Sequence, residues 1–198
     1  MSRLLKADQV DQYKKDGAVL IKGKFDRAWI ENLRKGISKD FQNPSPRFVR
    51  HTKDDHMPGY FEDFWTWNLF DEFTDFVHNS PTAQIASELM GASKVNLVMD
   101  NWFLREAGSK SGAPFHHDIS YFDFEGSMCV LWLPLEPVPK EEAIAWIKGS
   151  HLWSFIFVLD FKRDTSTMEK LEWLMEKAMT SPLIFLTTKR TMTFFSGT

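Results

Sequence analysis

The sequence is poor in cysteine, because Cys129 is the only one among 198 residues. A single cysteine cannot form an internal disulfide, which excludes a small secreted scaffold held together by disulfides. Cys129 lies in an apolar run from Met128 to Leu133. That position predicts a buried thiol in a strand rather than a nucleophile. We therefore expect a reducing, cytoplasmic compartment.

Long hydrophobic runs and a strong net charge are also missing. No apolar run approaches the about 20 residues that a membrane-spanning helix needs, and we expect no secretory signal at the N-terminus. The formal net charge of −3 gives no reason to expect a nucleic acid or an anionic membrane as partner. A small-molecule substrate is the expected partner, and the sequence does not indicate an oligomeric state.

Aromatic side chains are abundant, with 18 Phe and 8 Trp. The chain has 198 residues and 43% hydrophobic content, enough for one domain with a substantial core. We therefore expect residues 1–198 to form a single domain.

Helical patterns fill the first half of the chain. The spacing of apolar side chains predicts helices over 7–16, 25–41 and 61–77. Ser80-Pro81 as a helix start and Gly91 as a stop predict a further helix over 80–90. The aromatic helix over 61–77 is interpreted as core-facing, with the wall of an apolar substrate pocket as the alternative. A short strand is predicted over 18–21 and a surface loop over 43–60. That loop contains metal-donor side chains, but they lie on no predictable scaffold, so we interpret it as solvated.

Apolar and β-branched runs dominate the second half. They predict strands over 95–104, 114–122, 128–135, 143–148, 183–186 and 192–195, and a helix over 165–179. Helices followed by short, evenly spaced strands favour an α+β fold. We expect a double-stranded β-helix (a jelly-roll, cupin-like core) with the N-terminal helices packed on it. In such a core, side chains from facing strands converge between the sheets.

The motif that carries chemistry is His116-His117-Asp118. On a strand, His116 and Asp118 point to one face and His117 to the other. One imidazole and one carboxylate are two thirds of the 2-His-1-carboxylate set that binds Fe(II) in non-haem oxygenases. We therefore predict His116 and Asp118 as metal ligands and catalytic residues. Short motifs of this kind recur by chance, so the flanking sequence must show whether this one marks a metal site.

Four flanking segments follow one another in order: 103–108, 114–122, 132–136 and 144–153. The second holds the His-x-Asp motif between Pro114 and Tyr121-Phe122, and the fourth holds a Gly-Ser-His sequence that ends at His151. Together these segments resemble the phytanoyl-CoA dioxygenase-like family of Fe(II)/2-oxoglutarate-dependent oxygenases. The resemblance covers residues 5–155 and fades after them.

The resemblance implies an enzyme. His116 and Asp118 would hold Fe(II), with 2-oxoglutarate as co-substrate and O₂ as oxidant. Conversion of 2-oxoglutarate to succinate and CO₂ would accompany hydroxylation of a small, apolar organic substrate. Arg105 and Trp132 stand at family positions expected near 2-oxoglutarate, and Tyr121 is expected beside the cofactor or the substrate. Their simpler interpretations are a surface cation, a core aromatic and a packing residue.

The family's second histidine follows a strand similar to 192–197, and its 2-oxoglutarate-binding arginine comes later still. The sequence ends at Thr198, so the resemblance predicts a domain without the last strands of the family pattern. His151 either replaces the missing ligand or is a loop histidine with local hydrogen bonds. Two alternatives to the enzyme stay open. One is a catalytically silent, truncated member that acts as a binding module, and the other is a cupin-like metalloprotein with non-oxygenase chemistry.

Overall fold

The computed structural model describes residues 2–109, 115–123, 126–139 and 143–154, together with the backbone of residues 191–196. The helices are α1 (Ala7–Asp16), α2 (Arg27–Gln42), α3 (Asp71–Asn79) and α4 (Thr82–Met90). The strands are β1 (Val49–Arg50), β2 (Tyr60–Phe64), β3 (Asn96–Arg105), β4 (Ser127–Trp132) and β5 (Thr191–Ser196). Two 3₁₀ helices span Asp118–Tyr121 and Ser150–Leu152.

The five strands form an antiparallel sheet in the order β1-β2-β3-β5-β4. β3 pairs with β2 on one side and with β5 on the other. β5 lies between β3 and β4, so the last described segment joins two strands that precede it by many residues. The predicted strands over 95–104, 128–135 and 192–195 are confirmed as β3, β4 and β5, although β4 is shorter than expected.

Local signals set the ends of the predicted helices. α1 and α4 end at Gly17 and Gly91, whose φ angles of +83° and +65° suit glycine because it has no side chain to clash. The Asp26 carboxylate accepts a hydrogen bond of 3.1 Å from the backbone N–H of Trp29 and caps the start of α2. The helices predicted over 7–16, 25–41 and 80–90 are therefore confirmed.

The core is formed by apolar side chains from the helices and the sheet. Its buried members include Leu33 and Ile37 of α2, Phe73 and Phe76 of α3, Ile85 and Leu89 of α4, and Trp102 and Cys129 of β3 and β4. α2 packs on α3, and α4 packs on β4 and β5. The expectation that Cys129 is a buried strand residue is confirmed. No helix in the described ranges is long and apolar enough to cross a membrane.

The helix predicted over 61–77 is wrong in its first half. Tyr60–Phe64 forms β2, in which Phe61 and Asp63 are buried and their neighbours are half-buried. Helical structure begins only at α3. Closely spaced aromatics fit either a helical or an alternating pattern, and hydrogen bonding of this segment to β3 decides for the strand.

Two further predicted strands are also wrong. Residues 18–21 form no strand, although Val19 and Ile21 still pack against the core. Residues 143–148 form no strand and contain an isolated bridge at Ala145. Their apolar side chains are half-buried or exposed, with Leu20 51% and Trp146 40% exposed, so an apolar run alone does not produce a strand here. The predicted helix over 165–179 and strand over 183–186 lie outside the described residues.

The α+β class is confirmed, with helices packed on an antiparallel sheet. The strands of the described ranges belong to one sheet, so the second sheet of a jelly roll is not part of what the structure describes.

Candidate metal-binding site

His116 and Asp118, which we call the His–Asp pair, lie on the connection between β3 and β4. The strand predicted over 114–122 is wrong in its described part, because Asp118 begins a 3₁₀ helix that ends at Tyr121. The backbone N–H of Ser120 donates to the carbonyl of His117 at 2.9 Å and closes this turn. Asp and Ser side chains favour such turns over the ladder of a sheet.

The two side chains meet despite the missing strand. Nε2 of His116 lies 2.8 Å from Oδ1 of Asp118. The side chains are 25% and 37% exposed, so the pair is open to solvent. An imidazole nitrogen and a carboxylate oxygen are the atoms through which these residue types coordinate a metal. The structure thus brings together the two residues that the sequence singled out.

Tyr121 lies beside the pair. Its ring meets that of His116 edge-on, with centroids 5.3 Å apart. Burial raises the pKa of the Tyr121 hydroxyl, and the nearby charge of Asp118 adds to this effect. The phenol is therefore neutral at physiological pH and can donate a hydrogen bond.

His117 faces a different neighbour. Its ring meets the Trp153 ring at a centroid distance of 5.9 Å and an angle of 80°. The rings of His116 and His117 therefore contact different neighbours, but the strand that would place them on opposite faces is not formed.

His151 lies against the end of α1. Its Nε2 is 2.9 Å from the carbonyl oxygen of Lys14, so the ring N–H donates there. This contact agrees with the interpretation of His151 as a loop histidine with local hydrogen bonds. Among the described residues, no group of three or more His, Cys, Asp or Glu side chains is arranged to hold a metal ion.

Arg105 and Trp132 lie at the ends of two strands. The Arg105 guanidinium stacks over the Tyr60 ring, 5.1 Å from its centroid. Trp132 is half-buried at the end of β4, where its backbone pairs with Thr191 of β5. Their expected roles near 2-oxoglutarate stay predictions.

In the 43–60 loop, the metal-donor side chains form local hydrogen bonds. Nε2 of His51 lies 2.7 Å from Oε2 of Glu62 on β2. The Asp54 carboxylate accepts a hydrogen bond of 2.9 Å from the backbone N–H of His56. These contacts agree with the interpretation as a solvated loop, but the predicted loop is wrong at Val49–Arg50, which form β1, and at its last residue, which begins β2.

Sequence reasoning missed a group of buried aspartates. Asp63 on β2 accepts hydrogen bonds from the N–H and hydroxyl of Ser45, at 2.8 and 2.6 Å, and from the N–H of Phe64 at 2.8 Å. Asp100 on β3 accepts bonds from the N–H and hydroxyl of Thr66, at 3.0 and 2.8 Å. Asp63 thus holds the connection between α2 and β1, and Asp100 holds the connection between β2 and α3. The signal available in the sequence was an acidic residue next to bulky apolar ones, Asp63 before Phe64 and Asp100 after Met99.

Asp40 on α2 is the third buried aspartate. Its Oδ2 accepts a hydrogen bond of 2.6 Å from the indole N–H of Trp102. Burial raises the pKa of Asp40 to about 7; the Trp102 bond opposes this effect, and Asp63 and Asp100 add to it.

The sequence profile of the phytanoyl-CoA dioxygenase (PhyH) family matches residues 3–183. The chain belongs to this family. Phytanoyl-CoA dioxygenases require Fe(II), 2-oxoglutarate and O₂. The predicted cofactors and enzyme class are therefore confirmed. No curated protein sequence matches the chain at a significant level.

Solved structures share the fold of this phytanoyl-CoA dioxygenase family member. The epimerase SnoN, in complex with Fe3+, alpha ketoglutarate and nogalamycin RO, is 20% identical, with a TM-score of 0.66 over 95% of this chain and 72% of that chain. The non-heme alpha ketoglutarate dependent carbocyclase SnoK from nogalamycin biosynthesis is 18% identical, with a TM-score of 0.70 over 97% of this chain and 74% of that chain. At these identities, the likeness shows the fold.

The His–Asp pair fits the iron of this family in its donor chemistry. His116 offers one imidazole nitrogen and Asp118 one carboxylate oxygen, on a solvent-open turn. A carboxylate supplies the negative charge that a divalent ion requires, and imidazole suits Fe(II). The pair therefore offers one donor of each type that a 2-His-1-carboxylate facial triad uses.

Proposed function

We propose that this protein is a non-haem Fe(II)/2-oxoglutarate-dependent dioxygenase that hydroxylates a small organic substrate, with His116 and Asp118 as iron ligands. The observation that carries the proposal is the 2.8 Å approach of His116 Nε2 to Asp118 Oδ1 on a partly exposed turn. Family membership supplies the reaction class, and the pair supplies donors of the right type.

The residues of the pair have separate tasks. Asp118 neutralises part of the metal charge, and His116 binds through its neutral ring nitrogen. The 3₁₀ turn fixes the backbone of Asp118, and the edge contact with Tyr121 restrains the His116 ring. Bound Fe(II) would supply O₂ activation coupled to the decarboxylation of 2-oxoglutarate.

The finer assignments belong to the same proposal. Arg105 and Trp132 contact 2-oxoglutarate, and Tyr121 lines the site. A third ligand completes the triad within one domain that has a jelly-roll core. The substrate is apolar, and the protein works in the reducing cytoplasm. The buried thiol of Cys129 supports the compartment, and the aromatic content of the chain supports the substrate class.

A catalytically silent binding module is the second candidate. One observation favours it: His151 is hydrogen-bonded to Lys14 at the end of α1. The histidine considered as a replacement ligand is therefore committed to a structural contact.

The test is Fe(II)-dependent formation of succinate from 2-oxoglutarate by the purified chain. We expect His116→Ala to reduce the rate by at least about 100-fold, because loss of a ligand removes the metal. His56→Ala, which changes an exposed loop histidine, is the matched control and should keep the rate. A folded protein with no more succinate than the His116→Ala variant would contradict the enzyme and favour the binding module.

A further inference from the structure

Residues 148–153, which we call the capping loop, are fastened to the C-terminal end of α1. The backbone N–H of Gly149 donates to the carbonyl of Asp16 at 2.9 Å. The His151 ring donates to the carbonyl of Lys14, also at 2.9 Å. Nζ of Lys148 lies 3.1 Å from Oδ1 of Asp16. Three successive contacts thus join this loop to one helix end.

These contacts meet a physical need of the helix. The last four carbonyls of an α-helix have no partner within the helix, and a cation near them is stabilised by the helix dipole. The capping loop supplies two N–H donors and a lysine at that end, from a segment 137 residues later in the chain.

Gly17 shows how closely the loop approaches. Its φ of +83° ends α1, and a Cβ at this position would collide with the imidazole of His151. Only glycine allows both the left-handed turn and the close approach of the ring. The position of His151 is therefore tightly defined by the end of α1.

The same loop contacts His117, the residue between His116 and Asp118. Leu152 and Trp153 donate their N–H groups to the carbonyls of Gly149 and Ser150, at 3.0 and 3.2 Å, so Trp153 is held in a short turn with His151. The Trp153 ring contacts the ring of His117, with centroids 5.9 Å apart. His117 stands between the two proposed ligands in the sequence. A continuous series of contacts therefore runs from α1 to the site.

We infer that His151 is a positioning residue for the metal site. By capping α1, it holds the loop so that Trp153 restrains His117, and through it the directions of His116 and Asp118. The inference rests on the proposed role of these two residues as ligands. Groups that hydrogen-bond to metal ligands orient them, and their loss typically weakens metal binding about 10–100-fold. Because His151 acts through Trp153 and His117, we expect an effect at the lower end of that range.

The first test measures the affinity for Mn(II), an oxidation-resistant substitute for Fe(II). The variants are first shown to be folded by circular dichroism. We expect His151→Ala to raise the Mn(II) dissociation constant about tenfold. His151→Gln keeps an N–H donor at a similar reach and should restore wild-type affinity. His56→Ala, the exposed control, should leave the affinity unchanged.

A second readout needs no metal. In protein labelled at its histidines, the His117 ring resonances report the ring current of Trp153, and six histidines are few enough to assign by substitution. We expect His151→Ala to move the His117 resonances toward their unshifted values and His151→Gln to leave them in place. A merely stabilising role for His151 would not move them in folded protein.

The double variant His151→Ala/Trp153→Leu tests the route. Since His151 and Trp153 act in series, the double variant should bind Mn(II) no more weakly than the single variant with the lower Mn(II) affinity. Additive losses would contradict the route through Trp153. If His151→Ala does not fold, Trp153→Leu carries the test alone, and unchanged Mn(II) affinity in that variant would overturn the inference.

The outcomes separate this inference from the proposed function. Mn(II) binding that is lost in His116→Ala but unchanged in His151→Ala overturns the positioning role and leaves the function standing. Mn(II) binding that is unchanged in His116→Ala removes the ligand role itself, and both proposals fail.

Discussion

Two groups of carboxylates in this protein differ in what surrounds them. Asp63, which has no exposed surface, receives three hydrogen bonds from Ser45 and Phe64. Asp118 is 37% exposed, stands at the start of a short turn and faces the imidazole of His116. The first carboxylate is enclosed by donors that belong to the fold, whereas the second is accessible to a ligand from solution.

This difference separates carboxylates that stabilise the fold from carboxylates that are available to bind a ligand. A carboxylate that satisfies buried backbone and hydroxyl donors cannot leave them without leaving those donors unpaired. A partly exposed carboxylate can release its hydrogen-bonded neighbour and bind a metal at a small cost in free energy, because water can hydrogen-bond to the neighbour that it releases. Position in the fold, and not residue type, decides which aspartate is available for chemistry.

The largest effect on stability is expected at the buried network. Asp63→Ala leaves the N–H and hydroxyl of Ser45 and the N–H of Phe64 without their acceptor, so the free energy of unfolding should fall by about 3 kcal/mol or more. Chemical denaturation monitored by circular dichroism measures this change.

Asp118→Ala is the comparison in the same experiment. Since Asp118 is partly exposed, its loss should change the free energy of unfolding by about 0.5 kcal/mol or less. Equal losses in the two variants would break the distinction between the two carboxylate environments.

A smaller, pH-dependent effect is expected at Asp40. Its folded-state pKa of about 7 lies above the ordinary value of 3.8, so the folded protein keeps a proton that the unfolded chain releases. This stabilisation is complete below about pH 4 and is lost as the pH rises through about 7. Between pH 5 and pH 7, wild-type stability should fall relative to Asp40→Asn by about 1 kcal/mol per pH unit.

Asparagine is the matched substitution because its amide resembles a neutral carboxyl and still accepts the bond from Trp102. Parallel stability curves for wild type and Asp40→Asn over this range would mean that Asp40 does not hold its proton in the folded state.

The sequence predicted the features that depend on local signals. Gly17 and Gly91 set the ends of α1 and α4, and the apolar run before Arg105 indicated β3. His116 and Asp118 were identified by residue type and family resemblance, and the structure brings them together.

The sequence misled where long-range pairing or burial decides the outcome. Tyr60–Phe64 is a strand because β3 lies beside it, and nothing within that segment reveals the neighbour. The His–Asp segment forms a turn instead of a strand, since its own Asp and Ser side chains favour turns. The buried roles of Asp40, Asp63 and Asp100 depend on partners far away in the chain, such as Trp102 for Asp40.

The most direct test of the ligand assignment is an anaerobic Fe(II) titration of wild type, Asp118→Ala and Asp123→Ala, in which Asp123 is a nearby exposed aspartate. We predict that Asp118→Ala loses Fe(II) affinity by at least about 100-fold while staying folded, because the carboxylate of the pair is removed. Asp123→Ala should bind as wild type does. Equal Fe(II) affinity in wild type and Asp118→Ala would contradict the assignment of His116 and Asp118 as the metal-binding pair.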